Sequence, residues 1–294
     1  MSVRDGLVAA IGAMAIASAQ QPQQPQPTFR SVSDLVPVQV SVHTARSVVS
    51  GLKAADFELT DNGVHQDVDA VSADSVSADV TMVVDTSGSV IRSLDRFRSD
   101  VRRMADQLRA NEQIRLITFD TDVHQAFPMQ PASRRVPVDA IRTGNMTSLL
   151  DAMLAALARA PRPDRRHLVF VFTDGYDNAS MLGYSAIPAL ASHSDAVLHI
   201  VLVRVTGVPG QYPSPAFDAL AAAAARTGGA LYSPNEAPAD VVAAFKLAVE
   251  AFRHGYVLYY TPRGVAREGW HDIKVRVTRP GVFDVAARQG YFGG

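Results

Sequence analysis

Oxygen-bearing side chains follow an apolar run in the stretch VVDTSGSV, where Asp85, Ser87 and Ser89 occupy every second position. Two more such side chains are Thr147 in GNMTSLL and Asp174 in FTDGYDN. Hard divalent cations such as Mg²⁺ take oxygen ligands in a near-octahedral shell and keep several waters. These five residues therefore predict one divalent-cation site, with Mg²⁺ as the expected ion and Mn²⁺ or Ca²⁺ as alternatives.

Three separate loops must meet for these side chains to surround one ion. The apolar run before Asp85 and the segment HLVFVFT before Asp174 read as buried strands, because Val, Leu, Ile and Phe follow one another without polar alternation. Ligand sites in open α/β sheets lie beyond the carboxyl ends of the strands. We therefore expect both acids, together with Thr147 at the start of a helix, at one edge of a parallel sheet.

The middle of the chain alternates between strand and helix patterns. Strands are indicated by IRLITFD, HLVFVFT and AVLHIVLVRV, and helices by TSLLDAMLAALARA, SPAFDALAAAAARTGG and DVVAAFKLAVEAF. A further helix is predicted where Leu94, Val101, Met104 and Leu108 recur at helical spacing. Residues 78–252 are thus predicted to form an α/β domain with a doubly wound, mostly parallel sheet.

The two flanks of this domain alternate between apolar and polar residues, which is typical of half-buried strands. Asn62-Gly63, between two such runs, predicts a tight hairpin. Residues 31–77 and 254–292 each offer too few strands to bury a face alone, so we expect them to form one small β-sandwich around an inserted α/β domain. The alternative places the two clusters on opposite sides of the α/β domain.

The chain begins with Arg4, an apolar run and the small-residue triplet ASA, which together predict a signal peptide over residues 1–19. A Pro/Gln-rich linker is predicted over residues 20–30. The protein is then expected to be exported, and to be periplasmic, cell-surface or secreted. No later apolar run approaches the roughly 20 residues that span a bilayer. The alternative treats the first residues as an apolar helix of the fold.

Composition excludes several classes of function. The counts of 28 Lys+Arg and 29 Asp+Glu give a formal net charge of −1, so general electrostatic capture of nucleic acid is not expected. The absence of cysteine excludes disulfides, a thiol nucleophile and thiolate metal ligands. Any metal site must therefore use oxygen or imidazole ligands.

The stretch DTSGS, followed by Thr147 and Asp174, resembles the metal-ion-dependent adhesion site of von Willebrand factor A (VWFA) domains, whose pattern is DxSxS…T…D. The resemblance implies that Ser87 and Ser89 bind the metal directly. Thr147 would bind it directly or through water, and Asp85 and Asp174 would act mostly through waters. A Glu or Asp carboxylate of a protein partner would complete the coordination. The flanking segments DFELTDNGVHQ and RQGYF resemble exported VWFA-related proteins of the acidobacterial type, which implies architecture rather than a ligand.

Other functions are compatible with parts of this pattern. Asp and Ser also favour helix N-termini, which accounts for one or two of the five side chains but not for all of them. A metal-dependent phosphoryl-transfer hydrolase that uses Asp85 is the enzymatic alternative, although that chemistry commonly needs a second acid where this chain has Ser87. A structural envelope protein with a vestigial metal site is another. Because the chain has no GxSxG, P-loop or GxGxxG motif, we expect a non-catalytic binding protein.

Three further acids, Asp120, Asp122 and Asp177, are expected near the same edge of the sheet. They offer ligands for a second cation, but solvated loop acids are commoner, and we expect these three to be solvated. The histidines show no metal-ligand spacing such as HExxH.

Overall fold

The computed structural model describes residues 35–44, 47–73, 77–88, 94–162, 165–202, 214–232 and 241–294. The predicted signal peptide, the predicted linker and Ser89 lie outside these residues. The strands are β1 Val36–His43, β2 Phe57–Asp61, β3 Val64–Gln66, β4 Ala70–Ser72, β5 Ala78–Asp85, β6 Gln113–Phe119, β7 Val123–Pro131, β8 Arg166–Thr173, β9 Val197–Leu202, β10 Leu231–Tyr232, β11 Tyr256–Tyr260, β12 Gly269–Val277, β13 Asp284–Ala287 and β14 Gly290–Gly293. The helices are α1 Leu94–Ala105, α2 Leu149–Leu157, α3 Ile187–His193, α4 Ser214–Arg226 and α5 Val241–Arg253.

The central sheet has the strand order β10-β9-β8-β5-β6-β7. Every neighbouring pair is parallel except β6 and β7. All residues of β5 are buried, as expected for a strand that is covered by helices on both faces. Side chains of α1 and α5 pack on one face of the sheet, and those of α2, α3 and α4 pack on the other. The predicted fold class, a doubly wound and mostly parallel α/β sheet, is thereby confirmed.

Three elements of this domain were not predicted from the sequence. β7 is an antiparallel edge strand whose exposed residues and two prolines, Pro128 and Pro131, hide the period of a strand. Proline is tolerated there because an edge strand leaves part of its backbone unpaired. α3 and β10 have only 7 and 2 residues, which is too short for a periodic pattern.

The chain ends contribute to two antiparallel sheets, with strand orders β13-β1-β11-β4 and β14-β12-β2-β3. β1 pairs with β11 and β13, and β2 pairs with β12, so both sheets combine strands from before and after the central sheet. Their inner faces share one apolar core, which includes Val38, Leu59, Leu258 and Ile273. The predicted β-sandwich is therefore present, whereas the domain bounds given above stay a prediction.

The Asn62-Gly63 turn joins β2 and β3 as the sequence predicts. Both residues have positive φ, 49° and 81°, which is the conformation that a two-residue type I′ hairpin requires. In the part of the chain that the structure describes, no helix has the length and apolar character needed to cross a membrane.

Candidate metal site

The carboxyl ends of β5, β6 and β8 lie side by side at one edge of the central sheet. Asp85, the last residue of β5, is in register with Phe119, the last residue of β6. One position earlier, Val84 lies opposite Phe172 of β8. Asp174 directly follows β8. The two acids therefore leave neighbouring strands at the same edge.

Asp85 is fully buried, and neighbouring groups hold its carboxylate. The Ser87 backbone N–H donates to Oδ1 at 2.9 Å, and the Thr173 hydroxyl donates to Oδ2 at 3.1 Å. Burial raises the pKa of Asp85 to about 6, because desolvation disfavours the charged form. The hydrogen bonds from Ser87 and Thr173 oppose this rise, and the negative charge of Asp174 adds to it. Among the described residues, no Lys or Arg forms an ion pair with Asp85.

The loop before α2 is hydrogen-bonded to the loop that follows β5 and to the loop that follows β8. Gly144 donates its backbone N–H to the Thr86 carbonyl at 3.2 Å, beside the Asp85 turn. Thr147 donates its backbone N–H to Asn178 Oδ1 at 2.8 Å, in the loop that follows β8. The Thr147 carbonyl also accepts the Asn178 N–H at 3.0 Å. The loops that carry Asp85, Thr147 and Asp174 are thus linked by direct hydrogen bonds.

The Thr147 side chain is not explained by helix capping. Ser148 holds the N-cap position of α2, and its side chain makes no capping hydrogen bond. Asp177 accepts the Leu150 N–H at 2.9 Å instead and so satisfies one of the free donors at the helix start. Thr147 is 6% exposed, and within the described part of the chain its hydroxyl makes no hydrogen bond. The hydroxyl therefore remains free to bind an ion.

Asp174 begins a tight turn at the end of β8. Its Oδ1 accepts the Tyr176 N–H at 3.1 Å, and Gly175 has a φ of 83°, which glycine adopts without strain. Asp174 is 6% exposed, and its charge acts on Asp85. The turn thus holds a second carboxylate beside Asp85.

The donor chemistry of this edge fits a hard divalent cation. The described residues place two carboxylates and two hydroxyl side chains of the predicted set there, namely Asp85, Ser87, Thr147 and Asp174. The fifth residue of the set, Ser89, lies outside the described residues. Among the described residues no basic side chain forms an ion pair with the buried Asp85, so a cation would balance its charge. Direct ligation by these residues stays a prediction.

Asp120 differs from the expectation that it is solvated. The residue is 6% exposed, because it lies against Gly144, and its Oδ1 accepts the Asp122 N–H at 3.0 Å. Ligand atoms of Asp120, Asp122 and His124 lie within 4.8 Å of one another, an arrangement that the spacing of the histidines did not suggest. Asp122 and His124 are exposed, and such clusters occur commonly without an ion.

Two residues that position the site were missed by the sequence reasoning. Thr173 orients the Asp85 carboxylate, and Asn178 holds the Thr147 backbone. The segments TDG and YDN contain both residues, but their hydrogen bonds depend on neighbouring loops and leave no local pattern.

The comparison with protein families agrees with this architecture. Residues 80–195 match the family described as VWA-like domain (DUF2201). That match begins in β5 and extends beyond α3, so it includes the loops of Asp85, Thr147 and Asp174. Taken with the strand order and the position of the acids, it shows that the α/β part of this chain is a VWA-type domain.

Weak structural likenesses to solved proteins were also found. A von Willebrand factor type A protein from Catenulispora acidiphila has 9% identity and a TM-score of 0.49, over 88% of this chain and 75% of that chain. The ArnB paralog VWA2 from Sulfolobus acidocaldarius has 12% identity and a TM-score of 0.48, over 87% and 76%. Proximal thread matrix protein 1 from the mussel byssus, solved with a zinc-occupied MIDAS motif, has 15% identity and a TM-score of 0.48, over 65% and 49%. Likenesses this weak carry no argument about function. No curated protein matches the chain.

Proposed function

We propose that this chain is an exported, non-catalytic binding protein whose VWA-type domain holds one divalent cation. The ligand set is Asp85, Ser87, Ser89, Thr147 and Asp174, with Ser89 included on the sequence pattern alone. Mg²⁺ is the expected ion, and Mn²⁺ or Ca²⁺ are alternatives. A Glu or Asp carboxylate of a protein partner completes the coordination, so that binding of the partner depends on the metal.

The observation that carries this proposal is the buried carboxylate of Asp85. Its partners in the described structure are hydroxyl and amide groups, and the charge of Asp174 makes its ionised form less favourable still. A buried carboxylate without a compensating cation costs free energy. A bound metal ion would supply that compensation, and the neutral hydroxyls would leave the ion with net positive charge for an acidic ligand.

Apolar side chains around the edge favour a protein partner over a free small acid. Met146, Tyr176 and Met181 belong to the loops of this edge and are 42%, 38% and 96% exposed. A single carboxylate contact gives modest affinity, whereas aromatic and methionine side chains are enriched where proteins bind one another. We therefore assign specificity to these loops and metal-dependent attachment to the cation.

The proposed absence of catalysis follows from the groups beside Asp85. A phosphoryl-transfer hydrolase would place a second acid two residues after the first, and Ser87 stands there. The Ser87 N–H is already used by the Asp85 carboxylate. The rival activity is tested with an aryl phosphate and Mg²⁺, and we expect no turnover that depends on Asp85.

Metal binding is tested by thermal unfolding of protein stripped with EDTA. Saturation to a hundredfold excess over Kd adds about 2.7 kcal/mol, which corresponds to a rise in Tm of about 5–10 °C for a domain of this size. Asp85→Ala should abolish the rise. Asp272→Asn, an exposed acid of the sandwich, should keep it and serves as the matched control. A parent protein whose Tm is unchanged by millimolar Mg²⁺, Mn²⁺ and Ca²⁺ contradicts the metal site.

Partner binding is tested by capture from native envelope extract in Mg²⁺ and in EDTA, with the same two variants. The proposal requires capture that needs both the metal and Asp85. Capture that survives EDTA and Asp85→Ala would assign binding to another surface, even if the metal raises Tm.

A further inference from the structure

A cleft lies at the opposite edge of the central sheet, where β8 and β9 begin and the sandwich packs against the α/β domain. It encloses about 600 Å³, which falls within the range of small-molecule sites. Its walls come from β1 and β13 of the sandwich, from β8, β9 and β10 of the central sheet, and from α5. Most of the lining is apolar and includes Val40, Val197, Leu247 and Phe252.

A buried guanidinium group lines this cleft. Arg166 is 8% exposed, its Nη1 donates to the Phe252 carbonyl at 2.8 Å, and its guanidinium carbon lies 4.1 Å from the centre of the Phe252 ring. The Nε is buried and has no hydrogen-bond partner. Within the described part of the chain, no carboxylate lies within ion-pair distance of Arg166. Burial lowers its pKa to about 10, so the group is still charged at neutral pH.

The other polar groups of the cleft do not neutralise Arg166. Glu250 forms ion pairs with Arg253 at 2.7 Å and with His254 at 3.3 Å. Asp284 lies opposite His43 in the strand register of β1 and β13. Glu250 is therefore already paired, and Asp284 is exposed to solvent.

The two histidines of the cleft have polar partners of their own. His199 Nδ1 lies 3.1 Å from the Tyr232 hydroxyl, and burial lowers the pKa of His199 to about 4, so its ring is neutral. His43 Nε2 lies 2.6 Å from Ser41 Oγ. On the β1 wall, the buried Oε1 of Gln39 has no hydrogen-bond partner. An amide can present either its donor or its acceptor to a ligand.

We propose that this cleft binds a small organic anion, a carboxylate that carries an apolar body. The carboxylate contacts the Arg166 guanidinium, whose planar donors match carboxylate geometry. The apolar body fills the space beside Leu247 and Phe252. This site is separate from the predicted cation site, because it lies at the amino ends of the strands and uses none of the same residues.

The probe is octanoate, titrated calorimetrically into the full chain in EDTA so that no cation binds the carboxylate at the other edge. Acetate supplies the charge without the apolar body, and 1-octanol supplies the chain without the charge. We expect octanoate to bind at least tenfold more tightly than either. Equal affinities for octanoate and 1-octanol, or no octanoate binding at millimolar concentration, would overturn the proposal.

Two variants separate recognition from packing. Arg166→Met removes the charge and keeps most of the volume, a change that buried sites often tolerate. It should weaken octanoate at least tenfold and leave 1-octanol unchanged. Leu247 is 58% exposed, so Leu247→Glu is expected to fold and to weaken octanoate more than the neutral control Leu247→Gln does. An octanoate affinity that neither Arg166→Met nor Leu247→Glu changes refutes the assignment of the cleft.

Discussion

Asp85→Asn is expected to stabilise the metal-free protein. The parent side chain is fully buried, and desolvation raises its pKa from 3.8 to about 6. At neutral pH this difference in pKa between the unfolded and the folded chain lowers the free energy of unfolding by about 3 kcal/mol. An amide of the same shape carries no charge and escapes that cost. It gives up part of the bonding to Thr173, which reduces the gain by about 1 kcal/mol.

The pH dependence of this gain follows from the direction of the pKa change. Below about pH 4 the carboxyl group is protonated in both the folded and the unfolded chain, so Asp85 contributes no penalty. As the pH rises from about 4 to about 6, the unfolded chain ionises before the folded one, and the folded state loses stability. Above about pH 6 the penalty is complete. Asp85→Asn should therefore gain about 2–3 kcal/mol at pH 8 and almost nothing at pH 4.

Urea unfolding in EDTA at pH 4 and pH 8 measures both values. Asp272→Asn is again the matched control, because it removes an exposed carboxylate from the sandwich and should change stability by less than about 1 kcal/mol at either pH. Adding Mg²⁺ at pH 8 should stabilise the parent and leave Asp85→Asn unchanged, which reverses the order of the two proteins or closes the gap between them. A variant that is less stable than the parent at pH 8 would refute the reasoning.

Two further predictions test the packing around the site and in the sandwich. In Gly144→Ala the new Cβ would lie 2.5 Å from Asp120 Cγ, so the loop must shift, and the rise in Tm produced by Mg²⁺ should shrink by at least half. In Asp61→Ala the Tyr260 hydroxyl and the His271 ring lose the buried acceptor that they now reach at 2.8 and 2.9 Å, and urea unfolding should show a loss of about 2–4 kcal/mol. The control Glu58→Ala removes a half-buried surface carboxylate paired with the exposed Arg276 and should cost under about 1 kcal/mol. A loss in Asp61→Ala as small as that of the control, or a Gly144→Ala protein with an unchanged response to Mg²⁺, would contradict these two packing arguments.

The central sheet was predictable because its strands are buried on both faces. Such strands are continuous apolar runs, and each of these runs except β10 was recognised in the sequence. β7 was not recognised, because it is the outermost strand of the sheet and its exposed residues interrupt the apolar run. The paired chain ends were predictable only by elimination, since neither cluster had enough strands to form a sandwich alone.

The residues at this edge of the sheet could be predicted from the sequence, whereas most of the hydrogen bonds that hold them could not. Asp85 and Asp174 stand at strand ends, so the sheet topology alone brings them to one edge. The supporting bonds from Thr173 and Asn178 cross between loops that are distant in sequence. The burial of Asp120 depends on its contact with Gly144, and no local pattern reports such a contact. The sequence thus indicated which acids share one edge of the sheet, but not which groups hold them in place.

Two buried acids of this chain, Asp79 and Asp85, differ in whether a basic side chain neutralises them. Asp79 is fully buried at the amino end of β5, and it forms ion pairs with Arg159 and Arg165. These partners keep the pKa of Asp79 below its ordinary value in spite of burial. Asp85, at the other end of the same strand, has no such partner in the described residues, and its pKa rises instead. The described residues thus supply a counter-charge at one end of β5 and none at the other, where we propose that a bound cation supplies it.

Arg166 repeats this pattern with the opposite sign. The guanidinium is buried beside an open cleft and is bonded to a carbonyl rather than to a carboxylate. Its desolvation lowers its pKa just as desolvation raises that of Asp85. Each charge destabilises the chain alone, and each would be stabilised by a ligand of opposite charge. Because the two proposed sites lie at opposite ends of the central strands, cation binding at one and anion binding at the other can be tested independently.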